Sequence, residues 1–147
     1  MDETRLDKFV VYVDGCSLGN PGDAGIGVVI EGPHGDVLWA AGEPLQRTTN
    51  NVAEYTALLR GLEEASRLGA TSVLVYTDSE LLSRQISGEY RVRQAHLRPL
   101  YNEAQRRLSR FRTASVMHIS RDDNAGADDL ARRAARTRRK VVPDLGE

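Results

Sequence analysis

The chain switches between two hydrophobic periods, and the switches divide it into elements. Phe9-Val10-Val11-Tyr12-Val13 is an unbroken apolar run of strand length, which predicts a strand over Lys8 to Asp14. Gly15 to Asp23 is dense in turn formers, after which Ala24 to Glu31 is apolar again, with Gly25 and Gly27 two apart. Gly32-Pro33-His34-Gly35-Asp36 turns the chain into a third strand, Val37 to Gly42. Three strands joined by turns predict an antiparallel meander.

From Asn51 the period lengthens to that of a helix. Val52, Tyr55, Leu59, Leu62 and Ser66 share one face, and Gly69 ends the pattern. Ser72 to Thr77 is a fourth strand; because it follows a helix, it is expected to pair parallel to the first. A short helix, Ser79 to Ile86, comes next, then one opening at Pro99 with Leu100, Ala104, Leu108 and Phe111. A fifth strand, Ala114 to Ile119, and a final helix, Asn124 to Ala135, complete the order βββαβααβα. That order predicts an α/β fold, a mixed sheet with helices on its faces. No repeat or linker divides it, so residues 1–147 are expected to form one domain. Its core would cover about 8–136, with a basic and polar tail over 137–147, solvated beyond Arg136.

Four acids sit at the junctions of these elements. Asp14 and Asp78 end the first and fourth strands, Glu54 opens the long helix, and Asp128 lies in the first turn of the last. Each alone has an ordinary structural account. Asp14-Gly15 is a common turn pair, Asn51 with Glu54 resembles a capping box, Asp78 suits a helix N-cap, and Asp128 with Asp129 favours a helix dipole. Together they say more. If the two strands are neighbours, their ends bring the carboxylates to one sheet edge, where repulsion raises their pKa values and calls for divalent cations. An oxygen-only donor set favours Mg²⁺ or Mn²⁺, and paired hard cations serve phosphodiester hydrolysis.

Composition narrows the class. With 147 residues, 40% hydrophobic and 28% charged, the chain reads as globular. No apolar run approaches a bilayer span, and Met1-Asp2-Glu3-Thr4-Arg5 lacks a signal-peptide layout, so no membrane association and a cytoplasmic location are expected. The lone Cys16 excludes an internal disulfide framework, and no nearby His activates it as a nucleophile. His34 and His96 are expected to face solvent, while His118 and Trp39 are expected to pack on the sheet. The net charge of −1 hides an asymmetry: residues 1–64 hold eleven acids and four bases, residues 65–147 ten acids and sixteen bases. A basic half beside an acidic cluster suits a polyanion that delivers a phosphate to metal. The glycine-rich loop lacks the Gly-Lys-[Ser/Thr] of a nucleotide P-loop. Thr48-Thr49-Asn50-Asn51, with Arg47 beside it, offers hydroxyls and amides at a positive helix end.

These motifs, in this order, resemble type 1 ribonuclease H. The likeness is carried by Tyr12-Val13-Asp14-Gly15 with Gly19-Asn20-Pro21-Gly22, by Thr48-Thr49-Asn50-Asn51 with Glu54, by Tyr76-Thr77-Asp78-Ser79, and by Arg121 and Asn124 with Ala127-Asp128-Asp129-Leu130-Ala131. The resemblance implies a five-stranded mixed sheet of order 3-2-1-4-5 flanked by helices, and hydrolysis of the RNA strand of RNA/DNA hybrids to 5′-phosphate and 3′-hydroxyl ends. It implies two Mg²⁺ ions, with Mn²⁺ as substitute, about 3.5–4 Å apart. Asp14 would be shared by both, Asp128 would join it on one ion, and Glu54 and Asp78 would complete the other. It implies that Gly15, Cys16, Ser17 and Asn20 contact the RNA strand, that Arg47 and Thr49 hold a DNA-strand phosphate, and that Asn50 and Asn51 reach the minor groove. A monomer is the expected state.

The chain departs from the family pattern twice. Gly88-Glu89-Tyr90-Arg91-Val92-Arg93-Gln94 is short and lacks Trp where some members carry a basic protrusion, so hybrid affinity would rest on Arg91, Arg93, Arg98 and the following helix. Ser120-Arg121-Asp122-Asp123-Asn124 has no His where those members have one, leaving Arg121 or Asp123 to stand in. The likeness therefore points to the compact form. A nucleic-acid-binding module without catalysis, and an integrase- or resolvase-like DNA nuclease of the same fold, are the alternatives.

Overall fold

The computed structural model describes residues 8–145. Its five strands are β1 (Lys8–Ser17), β2 (Gly22–Glu31), β3 (Val37–Thr48), β4 (Ser72–Thr77) and β5 (Thr113–His118). Its helices are α1 (Asn50–Arg67), α2 (Glu80–Ile86), α3 (Arg98–Ser109) and α4 (Ala125–Thr137), with 3-10 turns at Ala95–Leu97 and Asp122–Asn124. The strands form one sheet in the order β3-β2-β1-β4-β5. β1 is antiparallel to β2 and parallel to β4, and β4 is parallel to β5, so the expected mixed topology holds.

Strand alternation decides what each face carries. Val11, Val13, Ile26, Val28 and Ile30 are buried in one cluster with Tyr55, Leu58 and Leu62 of α1. The intervening positions face α4, where helix and sheet meet almost backbone to backbone. A Cβ on Gly25, Gly27 or Gly42 would lie 2.4, 2.0 or 2.4 Å from the carbonyl oxygens of Ala131, Ala127 or Leu130. The alanines of α4 and these glycines are therefore one packing device, and it fixes how low α4 sits on the sheet.

Two strands, β1 and β3, run longer than their sequence patterns suggest. β1 continues past Asp14, with Gly15, Cys16 and Ser17 paired to Ile26, Gly25 and Ala24. Gly15, Cys16 and Ser17 are thus strand residues rather than loop, because β2 starts at Gly22 and keeps supplying ladder partners. β3 runs six residues beyond Gly42 for the same reason. The chain after α4 is also not simply a solvated tail: the Arg138 guanidinium donates to the carbonyls of Ala24 and Leu45, and Val141 exchanges two 2.8 Å backbone hydrogen bonds with Gly42. His118 is exposed on β5, against the expectation that it packs, because β5 is an edge strand. His34 and His96 are exposed as expected. Trp39 packs against the core, with the Arg60 guanidinium 5.1 Å above its ring. No helix among the described residues is long and apolar enough to cross a membrane.

Candidate active site

Alternation along β1 sends two consecutive residues to opposite sides. Asp14 points to the α4 side, and Gly15 lies against α1, where a Cβ would be 2.2 Å from the Ala53 carbonyl carbon and 2.5 Å from the Glu54 nitrogen. Only glycine lets the helix come this close. At that contact the Gly15 amide donates to Glu54 Oε1 over 2.8 Å.

The caps differ from the local readings. Thr49, not Asn51, caps α1 and accepts from the Val52 amide. Glu54 therefore lies too far into the helix for a capping box. Ser79, not Asp78, caps α2 through its hydroxyl. Glu54 and Asp78 are thereby released from the structural duties that explain such acids elsewhere. Asp128 does lie in the first turn of α4.

Asp14, Asp78 and Asp128 converge, each offering a carboxylate oxygen within 4.8 Å of the others. Glu54 stands outside that trio yet lines the same cleft of about 340 Å³. Asp14 is only 3% exposed. Burial, and then the charges of Glu54, Asp78 and Asp128, push its carboxyl up to about 10. Burial raises Glu54 to about 8 despite the opposing Gly15 hydrogen bond. The buried Asp78 Oδ2 accepts no hydrogen bond, and its nearest cation, Arg121 Nε, is 4.0 Å away. An orphaned carboxylate oxygen, a carboxyl driven to keep its proton, and an all-oxygen donor set together fit a hard divalent cation.

Asn124 braces the cluster from behind. Its side-chain amide is 1% exposed and donates to the Val13 carbonyl, tying the strand beside Asp14 to the start of α4.

The other sequence candidates divide into two groups. Gly15, Cys16, Ser17, Asn50 and Arg121 line the acidic cleft, whereas Asn20, Arg47, Thr49 and Asn51 do not. Asn20 and Arg47 instead shape the glycine-rich loop. Asn20 Oδ1 accepts from the Asn50 amide, Asn50 Oδ1 accepts from the Ser17 amide, and Arg47 donates to the Pro21 carbonyl. Thr49 is occupied by its cap. Asn51 opens on a second cleft of about 400 Å³, shared with Tyr90, Arg91 and Arg93. Burial pushes the Cys16 thiol up, which agrees with a non-nucleophilic cysteine. Leu18, Ser79 and Arg132 also line the acidic cleft and were not singled out by sequence. For Arg132 the signal was available, since it lies one helical turn after Asp128.

The chain is similar to known proteins in sequence and fold. The reverse transcriptase-like family model matches residues 12–134. Ribonuclease HI of Halobacterium salinarum is 37% identical over 130 residues, which is 88% of this chain and 65% of its own length. The crystal structure of RNase H1 from that archaeon superposes with a TM-score of 0.85 at 34% identity, covering 90% of this chain and 99% of the other. The N-terminal RNase H domain of Rv2228c from Mycobacterium tuberculosis gives 0.85 at 41% identity, over 88% and 94% of the two chains. The complete bifunctional protein Rv2228c is 43% identical over 125 residues, so 84% of this chain spans about a third of that relative, 34% of its length. LC11-RNase H1, solved in complex with an RNA/DNA hybrid, gives 0.83 at 38% identity, over 88% and 98%.

Proposed function

Because this chain belongs to the type 1 ribonuclease H family, a family of endonucleases, we propose that it hydrolyses the RNA strand of RNA/DNA hybrids in a cation-dependent reaction. The products are 5′-phosphate and 3′-hydroxyl ends. The observation that carries the reading is the convergence of Asp14, Asp78 and Asp128, with the buried Asp14 carboxyl pushed up to about 10 by burial and its acidic neighbours. The resemblance to LC11-RNase H1, which was solved in complex with an RNA/DNA hybrid, supports the choice of substrate.

Asp14, Asp78, Asp128 and Glu54 would hold the ions, with Mg²⁺ the working cation and Mn²⁺ its substitute. Two such cations, when bound, supply an activated water and stabilise the charge that builds on the leaving oxygen. The chain's own residues supply position. Asp14 is buried in the cleft wall, on a strand bonded on both sides, so its carboxylate has little freedom to drift. Gly15 aims one Glu54 oxygen through its amide, leaving the other to the cleft. The linkage of Asn20, Asn50 and Ser17 holds the glycine-rich loop against the start of α1, where backbone and amide groups can meet ribose 2′-hydroxyls. Arg121, 69% exposed and lining the cleft, would meet a phosphate of the bound strand. Thr49 and Arg47 lie farther along, where the DNA strand would pass. The reading takes the protein as a cytoplasmic monomer.

The test is incubation of the chain with an end-labelled RNA/DNA hybrid, with Mg²⁺ and with EDTA, beside RNA-only and DNA-only duplexes. Mg²⁺-dependent cutting confined to the RNA strand of the hybrid is expected. Binding without cutting would make the chain a nucleic-acid-binding module, and cutting of duplex DNA would move it to the integrase and resolvase side.

A further inference from the structure

Asp128 is already engaged before any cation arrives. Arg132 Nε lies 3.0 Å from Asp128 Oδ1 and 3.2 Å from Oδ2, so one nitrogen spans both carboxylate oxygens. The pair follows from i,i+4 spacing on α4, and both partners line the acidic cleft with Asp14. Asp14 also attracts the same guanidinium. One position further along the helix, Arg133 and Asp129 repeat the spacing at 3.5 Å, with both side chains more than half exposed. Helix α4 therefore carries two chemically alike ion pairs, of which one uses a carboxylate of the cluster.

We propose that Arg132 is a resident counter-cation of this cluster: it occupies Asp128 in the substrate-free protein and lowers the affinity of the site for divalent cations. The inference rests on the metal-dependent reading above and concerns how that site is loaded. A cation entering the cleft competes with the guanidinium for Asp128 and is repelled by it. Arginine does not lose its proton in proteins, so Arg132 leaves Asp128 as a cation, and another anion within reach draws it away more strongly than water does. In this cleft that anion is an RNA-strand phosphate, whose oxygens suit a guanidinium fork. By linkage, whatever draws Arg132 from Asp128 strengthens cation binding, so loading is coupled to substrate. The rival account of the same pair is positional, with Arg132 holding Asp128 in place for the cation. The two accounts predict opposite signs.

Mn²⁺ binding to the full chain without nucleic acid, read from the EPR signal of the free ion, separates them. Arg132→Gln is expected to bind Mn²⁺ roughly two- to fivefold more tightly than the unaltered chain. Arg132→Lys should stay near the unaltered chain, and Arg133→Gln should not differ from it. Asp14→Asn identifies which binding belongs to the cluster, and Arg132→Met repeats the measurement if the glutamine variant melts early. Unchanged or weaker binding by a folded Arg132 variant overturns the counter-cation role and leaves the metal centre standing. Absence of Asp14-dependent Mn²⁺ binding in the unaltered chain overturns the metal centre, and this proposal with it.

Discussion

Gly15 and Asp14 are adjacent in β1 and serve opposite sides of the sheet: the Gly15 amide holds Glu54 of α1 at 2.8 Å, while the Asp14 carboxylate meets Asp128 of α4. Two helices from opposite faces are thus tied to one dipeptide. The cluster is a consequence of strand alternation, and its cost falls on Asp14 and Glu54, whose carboxyls burial and acidic neighbours push well above the usual carboxylate range.

That cost is measurable as pH-dependent stability. In the unfolded chain Asp14 and Glu54 titrate near 3.8 and 4.5, and in the folded chain near 10 and 8. Both folded values are raised, so between these limits the native state binds more protons and stability falls as pH rises. In EDTA, melting temperature is expected to drop from about pH 5 through pH 8 and beyond, and added Mg²⁺ should flatten the slope. Asp14→Asn removes the largest contributor. It should melt a few degrees higher than the unaltered chain in EDTA at pH 8, while losing nearly all hydrolysis in Mg²⁺. An Asp14→Asn protein that melts lower, or keeps most activity, would contradict this account.

The junction acids could be read from sequence because Asp14 and Asp78 interrupt apolar runs that must be strands. The 3-2-1-4-5 sheet followed from the same runs, with the family resemblance supplying the order. The placement of Glu54 was less legible. Asn51 and Glu54 have capping-box spacing, and only the three-dimensional approach of Ala53 to Gly15 shows why the acid is turned to the cleft. The extent of β1 was hidden by Gly15 and Ser17, which have turn-forming character but are held as strand by the partners in β2. His118 misled because alternation alone cannot distinguish an edge strand from a central one. Arg132 was masked by abundance, since arginines four residues after acids are common on helices and most face solvent.

The glycine seat under α4 predicts a second effect. A Cβ at Gly27 would stand 2.0 Å from the Ala127 carbonyl oxygen and 2.8 Å from the Ala131 nitrogen, clashes that no rotamer change can relieve. Gly27→Ala must lift the first turns of α4, and Asp128 with them. A loss of about 1–3 kcal/mol is expected from the overpacking. Activity of the folded fraction should also fall, since Asp128 no longer reaches Asp14 and Asp78. Denaturant melts paired with hybrid cleavage at saturating Mg²⁺ check both; full activity in the folded variant would refute the link between helix height and site.

The segment after α4 should stabilise without touching chemistry. Truncation after Thr137 removes the Arg138 bonds to Ala24 and Leu45 and the paired bonds between Val141 and Gly42. A loss of about 1–3 kcal/mol is expected for these hydrogen bonds. The kcat on a hybrid at a temperature where both forms are folded should stay unchanged. A truncated protein with unaltered melting but reduced kcat would reverse the assignment.

The last prediction concerns the basic segment between α2 and α3. Arg91 and Arg93 are exposed beside Tyr90, which is 44% exposed, and they share a cleft with Asn51 at the start of α1. Val92 between them is buried, so alternation points both arginines outward from a fixed backbone. Neither lines the acidic cleft, so their contribution belongs to binding rather than to the reaction. Arg91→Gln with Arg93→Gln should therefore raise KM for a hybrid and leave kcat unchanged. Each arginine–phosphate pairing removed should also make the slope of log affinity against log salt shallower by about 0.7–0.9. Cleavage kinetics at two salt concentrations suffice to test this. A KM effect that persists undiminished at high salt would point to shape or stacking through Tyr90 instead, because screening weakens only the charge contribution.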